Sequence, residues 1–467
     1  HGKLSGVRIM AWTVNNGKIY MSSNLYTGNS NATSHTVGFQ PDFTWLKVRN
    51  ATGGHYLFDA IRGATKNIRS DSTNAEATDA QTLKSFDSNG YTVGTSNSVN
   101  TNGETMVGWN WKAAGATPSN TYVVKVVSDT GNKYRFDDFG TSSVTLEISE
   151  GGTFTFDQAD SSNNGHPLRF ATQADGANSS QYTTGVTTNG TPGQAGAYTR
   201  ITVAASAPTL FYYCTNHSGM GGQANTPTTN SFSNFSGTIQ SNISPNTTSG
   251  LSIVKYVGSG SGSNSTVGHG LGVKPDIILV KNLDSTTDWV VWNKDLASQT
   301  NNYLRLNTTQ APGTTTNYWN SAAPTNQVFG VSPDGYNNNK SGEDTVAYCF
   351  NNVQGFSKIG SYTGNGNANG PFVYTGFSPS FIMGKRTDGT GPWWMLDNKR
   401  DGYNVTNRYL LADDSRTEGT DVEYNTDFLS NGWKARYSNG NFNASGGTYI
   451  YMAFAENPFT SSAGTPV

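Results

Sequence analysis

The chain has little charge and almost no cysteine. Only 13% of its 467 residues are charged, its formal net charge is −2, and its two cysteines are Cys214 and Cys349. Phosphate binding needs clustered Lys and Arg, and no such basic stripe occurs, so a nucleic-acid partner is not expected. Two cysteines far apart in the sequence do not make a disulfide framework. No stretch approaches the roughly 18 consecutive apolar residues of a membrane-spanning helix, so no membrane span is expected.

Catalytic motifs are also missing. No Gly-x-Ser-x-Gly elbow stands between a strand and a helix, and no His-Glu-x-x-His occurs. Acidic pairs such as Glu147 with Glu150 exist, but no pattern places two carboxylates at the separation of roughly 5–10 Å that a glycosidase needs. We therefore predict that the chain is not an enzyme, with a capsule depolymerase as an alternative.

What the sequence does contain is aromatic residues, 12% of the chain, together with 54 glycines. A disordered chain is poor in aromatic residues and rich in net charge, so this chain is expected to fold. Short runs of Val, Ile, Tyr, Phe and Trp are separated by Gly, Asn, Asp and Ser, which is the pattern of strands and turns. The sequence therefore predicts an all-β fold.

One pattern occurs three times: a Pro, a hydrophobic strand and a Lys, at residues 41–47, 275–281 and 379–385. Each copy continues with a Gly-aromatic turn and ends with an aromatic strand. The turns run over 86–91, 329–336 and 428–433, starting at Phe86, Phe329 and Phe428, and the closing strands over 106–111, 346–350 and 449–454. Self-similarity at a long period indicates repeated modules, and such modules more often build or bind than catalyse.

Polar residues recur with the repeat. Asp42 and Asp276 follow the Pro, and Lys47, Lys281 and Lys385 end the strand. We interpret the Asp residues as strand starters after a turn and the Lys residues as protection of a strand end or edge. A shared contact to a polysaccharide or a metal is the alternative.

The repeats divide the chain into modules. We predict an N-terminal strand segment at 1–20 with its strand at 7–12, β-sandwich repeat 1 at 21–115, a different module at 121–222, a Ser/Thr/Asn-rich linker at 223–250, β-sandwich repeat 2 at 251–355, β-sandwich repeat 3 at 356–460, and a tail at 461–467. Because the chain starts at His1 and not at Met, we expect a processed or partly observed product.

The three repeats resemble uncharacterised β-sandwich repeats of structural and tail-fibre proteins from tailed phages, especially marine phages. The resemblance lies at residues 252–258, 268–272, 361–366, 370–377 and 453–459, with a related variant at 38–42 and 59–63. It implies tandem sandwiches of the jelly-roll or lectin-like kind, strung along a tail fibre, spike or surface appendage of the virion, an extracellular particle. The implied partners are other virion proteins and a host-surface glycan or receptor, and the implied assembly is a homo-oligomer, with a trimer favoured.

Tryptophans of repeats 2 and 3 are candidates to stack on sugar rings: Trp289, Trp292, Trp319, Trp393 and Trp394. The alternation of Trp289 and Val291 with Val290 and Trp292 fits a two-sided strand. We therefore expect about half of these tryptophans to be core residues. The lone His55 and His269 are expected at the surface or in turns.

The sharpest chemical signal lies in the module at 121–222. His166 follows a predicted strand at 152–156, and Cys214, His217 and Met220 lie on one turn after an aromatic strand. A soft thiolate and two imidazoles hold copper in a trigonal plane in blue-copper sites, and a thioether caps the metal weakly. The glycines around Met220 allow the loop to turn back sharply. The order of the four residues therefore predicts a copper site.

This module resembles the cupredoxin family, whose fold is a small Greek-key β-sandwich. The resemblance implies that His166, Cys214 and His217 are the equatorial copper ligands and that Met220 is the axial one. His217 and Met220 are three residues apart, a shorter spacing than in many small blue-copper proteins. Zinc is a weaker alternative because its usual ligands are Cys, His and carboxylates. A copper-binding redox protein is therefore the alternative to a virion adhesion protein, and a cluster that only stiffens the loop is the alternative for the four residues.

Overall fold

The computed structural model describes residues 14, 16–260, 265–332 and 336–456. The predicted strand at 7–12, the tail at 461–467, Gly335 of the repeat 2 turn and residues 457–459 lie outside the described residues. Strands dominate, which confirms the predicted all-β, multi-sandwich fold class. The described residues contain two helices, α1 (Asn97–Asn100) and α2 (Gly440–Asn443), and 3-10 turns at Gly17–Ile19, Ser161–Asn163, Ala174–Ser179 and Val422–Tyr424. Within this described part no helix is long and apolar enough to cross a membrane.

Repeat 1 is a sandwich of two sheets. Its strands are β1 (Met21–Thr27), β2 (Thr33–Thr36), β3 (Phe43–Val48), β4 (His55–Asp59), β5 (Lys66–Arg69), β6 (Ala77–Thr78), β7 (Leu83–Asp87), β8 (Gly90–Val93) and β9 (Thr105–Trp111). The larger sheet has the order β1-β9-β3-β4-β5-β6, and the smaller has β2-β8-β7. Apolar side chains of both sheets, such as Leu46, Phe58 and Tyr91, form the core between them.

The inserted module follows. Its strands are β10 (Ser119–Ser128), β11 (Asn132–Phe136), β12 (Leu146–Glu147), β13 (Thr153–Asp157), β14 (Leu168–Ala171), β15 (Gln181–Tyr182), β16 (Val186–Asn189), β17 (Tyr198–Thr202), β18 (Leu210–Cys214) and β19 (Gly222–Asn225). They form two five-stranded sheets, β11-β10-β13-β17-β16 and β12-β19-β18-β14-β15. One aromatic-rich core, which includes Tyr122, Phe156 and Tyr212, holds the two sheets together.

Repeats 2 and 3 complete the chain. Repeat 2 contains β20 (Phe232–Asn234), β21 (Ser241–Asn246), β22 (Leu251–Val257), β23 (Thr266–Gly268), β24 (Ile277–Asn282), β25 (Val290–Asn293), β26 (Asn302–Tyr303), β27 (Gly313–Thr314), β28 (Val328–Gly330) and β29 (Asp344–Phe350). Repeat 3 contains β30 (Ser357–Thr363), β31 (Phe372–Tyr374), β32 (Phe381–Arg386), β33 (Trp394–Asp397), β34 (Leu410–Leu411), β35 (Thr426–Leu429), β36 (Gly432–Ala435) and β37 (Thr448–Phe454). The larger sheets run β20-β21-β22-β29-β24-β25 and β30-β37-β32-β33-β34. In all three repeats the last strand therefore lies between two earlier ones: β9 lies between β1 and β3, β29 between β22 and β24, and β37 between β30 and β32.

Two sequence expectations differ from this structure. The segment 223–250, predicted to be a linker, contains β19 to β21, because Phe235, Ile239 and Ile243 are buried and anchor a segment whose composition is otherwise polar. Phe329 pairs with Val267, as Tyr91 pairs with His35 and Trp433 with Val373. Phe329 therefore takes the place of the turn aromatics Tyr91 and Trp433, not of Phe86 and Phe428. This equivalence follows from the strand register, which the spacing of aromatic residues in the sequence does not reveal.

The three larger sheets pack around one shared core. It contains side chains from every repeat, among them Phe43, Trp45, Trp109, Ile277, Trp289, Tyr348, Phe381, Trp393 and Phe454. The opposite face of each larger sheet covers the repeat's own smaller core. The central strands of these sheets, β3 and β9, β24 and β29, and β32 and β37, are thus buried on both faces. The repeats are not strung in a line, as the sequence led us to expect, but form a ring, the name used below for the three packed repeats.

Equivalent hydrogen bonds close this ring. Thr287 N of repeat 2 donates to Thr73 O of repeat 1 at 2.9 Å, and Gly391 N of repeat 3 donates to Thr309 O of repeat 2 at 2.8 Å. Gly53 N of repeat 1 donates to Ser415 O of repeat 3 at 2.8 Å, which is the same contact again. The same contact therefore joins repeat 2 to repeat 1, repeat 3 to repeat 2 and repeat 1 to repeat 3.

The recurring lysines belong to these interfaces. Lys47, Lys281 and Lys385 are fully buried, and their ammonium groups donate to carbonyl oxygens of the neighbouring repeat, Arg416, Thr73 and Thr308, at 2.9, 3.2 and 3.3 Å. Burial lowers the pKa of each lysine to about 8. They neither protect an exposed edge nor reach a polysaccharide.

Other recurring residues are also structural. Asp42 and Asp276 accept hydrogen bonds from Ala114 N and Asn352 N, at 2.8 and 2.6 Å, just after the last strand of their repeats. The five candidate tryptophans are at most 1% exposed, so none of them stacks on a sugar. His55 and His269 are fully buried rather than at the surface. Both faces of the larger sheets face a core, which the alternation of residues does not reveal.

The inserted module is attached to the ring where its two ends meet. Gly115 N donates to Pro245 O at 3.3 Å. Asn246 Nδ2 donates to Ala114 O at 3.2 Å, and Ser249 Oγ donates to Lys112 O at 3.1 Å. The module also contacts β20 of repeat 2, where Tyr122 Oη donates to Ser233 O at 2.8 Å.

Candidate metal centre

Two neighbouring strands bring the candidate ligands together. β14 pairs with β18 in an antiparallel register that sets Leu168 opposite Cys214. His166 lies two residues before Leu168, so it reaches the same end of the sheet as Cys214. Residues 215–221 form the loop after β18 and carry His217 and Met220. Strand pairing therefore converts a separation of 48 residues between His166 and Cys214 into a contact.

The geometry of the cluster formed by His166, Cys214 and His217 fits a metal ion. Cys214 Sγ lies 3.8 Å from His166 Nδ1 and 3.7 Å from His217 Nδ1, and the three ligand atoms all lie within 4.8 Å of one another. With a metal–sulfur bond of about 2.3 Å, a metal–nitrogen bond of about 2.0 Å and an angle of about 120°, the sulfur and nitrogen would be about 3.7 Å apart. The donor atoms therefore need little rearrangement to hold a metal in their plane.

The cluster lies just below the protein surface. Cys214 is buried, His166 is half-buried and His217 is exposed. Burial and the neighbouring His217 lower the pKa of His166 from its ordinary value of 6.5. A lowered pKa keeps the imidazole neutral at neutral pH, and only the neutral ring has a lone pair for a metal.

The backbone of His166 is held firmly. Its carbonyl oxygen accepts hydrogen bonds from Tyr134 Oη at 2.9 Å and Gln158 Nε2 at 2.8 Å, and its N–H donates to Asn163 O at 2.8 Å. Burial and the Cys214 thiol raise the pKa of Tyr134, whose hydroxyl therefore stays protonated and able to donate. Sequence analysis did not find Tyr134, Gln158 or Asn163, because they come from other segments and belong to no local motif.

The ligand loop is tied down on both sides. Asn216 Nδ2 donates to Gly165 O at 2.9 Å, and Gly219 N donates to both carboxylate oxygens of Asp175 at 2.9 Å. Lys133 Nζ donates to Gly219 O. At Gly221 a Cβ atom would lie 1.7 Å from the Tyr212 carbonyl oxygen, so only glycine allows the loop to pass this strand.

Met220 follows the loop back into the core. Its carbonyl oxygen accepts hydrogen bonds from Tyr134 N at 2.9 Å and Ser143 Oγ at 3.0 Å. Its side chain is 1% exposed and belongs to the same apolar cluster as Cys214. The fourth predicted ligand is therefore buried in the module's core, whereas His217 is exposed to solvent.

Among the described residues, no other group of three or more His, Cys, Asp or Glu side chains gathers its ligand atoms in this way. A family model described as a domain of unknown function (DUF7483) matches residues 16–135 and 222–458. No curated protein and no solved structure matches the chain. The two matched segments contain most of the ring, and His166, Cys214, His217 and Met220 lie in the interval between them.

Proposed function

The chain belongs to the family described as a domain of unknown function (DUF7483), and we propose that it binds a mononuclear copper ion in its inserted sandwich. The observation that carries the proposal is the meeting of Cys214 Sγ with Nδ1 of His166 and His217 at 3.8 and 3.7 Å. His166, Cys214 and His217 would hold the ion in a plane, and Met220 is the candidate for a weak axial contact.

The donor set favours copper over the commoner metals. A thiolate and two imidazoles suit copper and zinc, but zinc usually completes its shell with further Cys, His or carboxylate ligands. No Asp or Glu joins this cluster among the described residues, and the ligand loop also carries a thioether, Met220, which is buried in the module's core. Bound copper with these ligands supplies one-electron transfer. The chain's own contribution is a preformed plane of donors with one imidazole at the surface.

The test is a titration of the metal-free protein with Cu(II), followed by visible absorption. A strong thiolate-to-copper band is expected in the wild type and is expected to vanish in Cys214→Ser. Cys349→Ala is the matched control, because Cys349 is equally buried but lies in repeat 2; it should keep the band. A wild type that stays colourless, or one that takes up zinc and not copper, would contradict the proposal.

A second candidate function, attachment of a virion to its host, is favoured by the ring itself. Three sandwiches locked around one core form a rigid scaffold, and loops on a rigid scaffold that do not belong to an interface between repeats are where binding residues are usually placed. On this proposal the chain is part of a tail fibre, spike or surface appendage, with other virion proteins and a host glycan or receptor as partners, and it assembles as a homo-oligomer, with a trimer favoured. Labelling of intact particles with an antibody to this chain, together with binding of the purified chain to host cells, tests it. Release of reducing sugar from host capsule would instead support the depolymerase alternative.

A further inference from the structure

A cleft lies between repeats 2 and 3, where residues just after β25 face β30 and β31. Its volume is about 370 Å³, and Lys294, Asp295, Lys358, Tyr374 and Tyr451 are among the residues that line it. A second cleft of about 510 Å³ shares Asp295, Ser361 and Tyr362 with the first, so the two are continuous. The lining of the second is mostly short and polar: Asn302, Thr363, Thr387 and Thr448.

Two exposed aromatic side chains stand at this cleft. Phe372 is 45% exposed and Tyr374 is 61% exposed, and both lie on the same face of the edge strand β31. The other two repeats show what the fold itself requires here. The pairing of Val373 with Trp433 matches that of His35 with Tyr91 and Val267 with Phe329.

The residues equivalent to Phe372 are therefore Ser34 and Thr266, and those equivalent to Tyr374 are Thr36 and Gly268. The same edge strand is built twice without an aromatic side chain. Exposed aromatic rings cost solubility and are not needed for this strand, so their presence in repeat 3 points to a ligand.

A lysine is also particular to this cleft. Lys358 on β30 pairs with Ala453, and the register of the last strands makes Ser22 and Ser252 its equivalents. Both serines are buried, whereas Lys358 is half-exposed and lines the cleft. Within the described ranges no acidic side chain pairs with Lys358. The cleft therefore offers an uncompensated positive charge beside two aromatic faces.

The floor of the cleft holds a polar group without a partner. Tyr451 is 4% exposed, and its hydroxyl makes no hydrogen bond with any described residue. The hydroxyl lies over Gly360, where a Cβ atom would be 3.0 Å from it, and both residues line the cleft. The hydroxyl is therefore free to form a hydrogen bond with a molecule in the cleft.

We propose that this cleft binds an oligosaccharide that carries a carboxylate group. Aromatic faces pack against the apolar face of a sugar ring, Tyr451, Ser361 and Asp295 offer hydrogen bonds to its hydroxyls, and Lys358 pairs with the carboxylate. Clefts with apolar walls and a few convergent polar groups are the usual form of such sites. The inference deepens the proposed attachment function by naming its ligand class and does not depend on the copper site.

The experiment uses the labelled full chain on a glycan array printed with uronic-acid, sialic-acid and neutral oligosaccharides. Wild type is expected to bind acidic glycans. The double variant Phe372→Ser/Tyr374→Thr, which takes its residues from repeat 1, should bind at least tenfold more weakly. Lys358→Ser, which copies the other two repeats, should lose the preference for acidic over neutral glycans. Tyr403→Ser is the control, because Tyr403 is 86% exposed in the same repeat but does not line the cleft; it should bind as wild type does.

Three results would overturn the inference: no binding of acidic glycans by wild type, equal binding by the double variant, or a wild-type oligomer that dissociates in the double variant, which would show that the aromatic pair covers a second copy. Thermal melting of every variant shows whether it is folded. Binding to host cells separates the two proposals. If the double variant still binds cells as wild type does, attachment stands and the cleft is not its site; if wild type does not bind cells, attachment itself fails.

Discussion

The indole nitrogen of Trp289 donates a hydrogen bond of 2.8 Å to the carbonyl oxygen of Arg69, 220 residues earlier in the chain. Trp393 makes the same bond to Arg305 O, also at 2.8 Å. At the third interface the equivalent residue is His55, whose Nδ1 accepts from Trp45 Nε1 at 2.9 Å and whose ring faces the Leu411 carbonyl. The same position in each repeat thus faces the neighbouring repeat. It is a tryptophan in repeats 2 and 3 and a histidine in repeat 1.

Removal of one indole N–H should weaken the ring. In Trp289→Phe the aromatic ring remains, but Arg69 O loses its donor in the interior, which costs about 1–3 kcal/mol of the free energy of unfolding. Trp393→Phe should cost a similar amount, since its environment is equivalent. Denaturant unfolding measures both, with the exposed Tyr403→Phe as the control expected to change nothing. Equal stability of wild type and Trp289→Phe would show that this bond contributes little.

The buried ion pair of repeat 3 has an uncharged counterpart in repeat 2. Arg400 Nε donates to Asp397 Oδ2 at 2.6 Å, and Trp109 Nε1 donates to the same oxygen at 3.0 Å. The equivalent residues of repeat 2 are the buried Asn293 and Leu296. Arg400→Leu leaves a buried carboxylate without its cation and should lower the free energy of unfolding by about 3–5 kcal/mol.

The double variant Asp397→Asn/Arg400→Leu reproduces the pair found in repeat 2. It should recover about half of that loss or more, because Asp397 is no longer an unpaired buried carboxylate, while Glu418, which also loses Arg400, keeps its ion pairs with Arg49 and Arg408. Recovery is partial, since Trp109 Nε1 loses its carboxylate acceptor. A double variant less stable than Arg400→Leu, measured in the same unfolding experiment, would contradict this account.

Gly221 controls the shape of the ligand loop. Gly221→Ala forces Cβ against the Tyr212 carbonyl, so the loop must shift, and the unfolding free energy of the inserted module should fall by about 1–3 kcal/mol. The shift should also weaken copper uptake, because His217 is carried by this loop. Gly140→Ala is the matched control: it lies in the same module, and its Cβ would meet nothing within 4 Å. Unchanged melting and copper uptake in Gly221→Ala would show that the loop adapts freely.

Stability should fall in weak acid. Burial lowers the pKa of His269 to about 4, and that of His35 also to about 4, from an ordinary value of 6.5. Between pH 6.5 and about pH 4 the unfolded chain binds more protons than the folded one. The free energy of unfolding is therefore lost as the pH falls through this range. Each histidine contributes up to about 1.4 kcal/mol per pH unit.

The variant His269→Asn tests how much of the loss of stability in acid comes from His269 alone. Leu271 N donates to His269 Nδ1 at 3.2 Å, and an Asn oxygen is able to accept that bond. Unfolding measured at pH 7, 5.5 and 4.5 should show a shallower loss in the variant, while His35 keeps its contribution. Identical slopes in variant and wild type would place the acid sensitivity elsewhere.

The sequence predicted local features better than long-range ones. The order of His166, Cys214 and His217 predicted a cluster that strand pairing does bring together, because Cys214 ends β18 and His217 lies on the loop that follows it. The residues that hold it, such as Tyr134 and Gln158, come from other strands and show no pattern. Copper itself stays a prediction.

Ring closure could not be predicted, because it depends on which faces of separate sheets meet. Lysine is usually exposed, so Lys47 and Lys281 suggested a strand edge; their burial follows from carbonyl oxygens that another repeat supplies. The two-sided alternation of Trp289 and Trp292 was read correctly, but both sides face a core. Conversely, the aromatic pair at Phe372 gave no signal until the register of the three repeats showed serine and threonine in its place.

The inserted module supplies none of the hydrogen bonds described between one repeat and the next, which has a consequence for how such chains diversify. Gly115 and Pro245 hold the entry and exit together, so a different domain, or a short loop, placed there would not alter any interface between the repeats. Selection is then free to exchange the module while the ring continues to fold. A chain in which a short loop replaces β10 to β19, residues 119–225, should therefore keep every interface between the repeats and lose the metal ligands, although it exposes Phe232 and Phe235, which pack on the module's core.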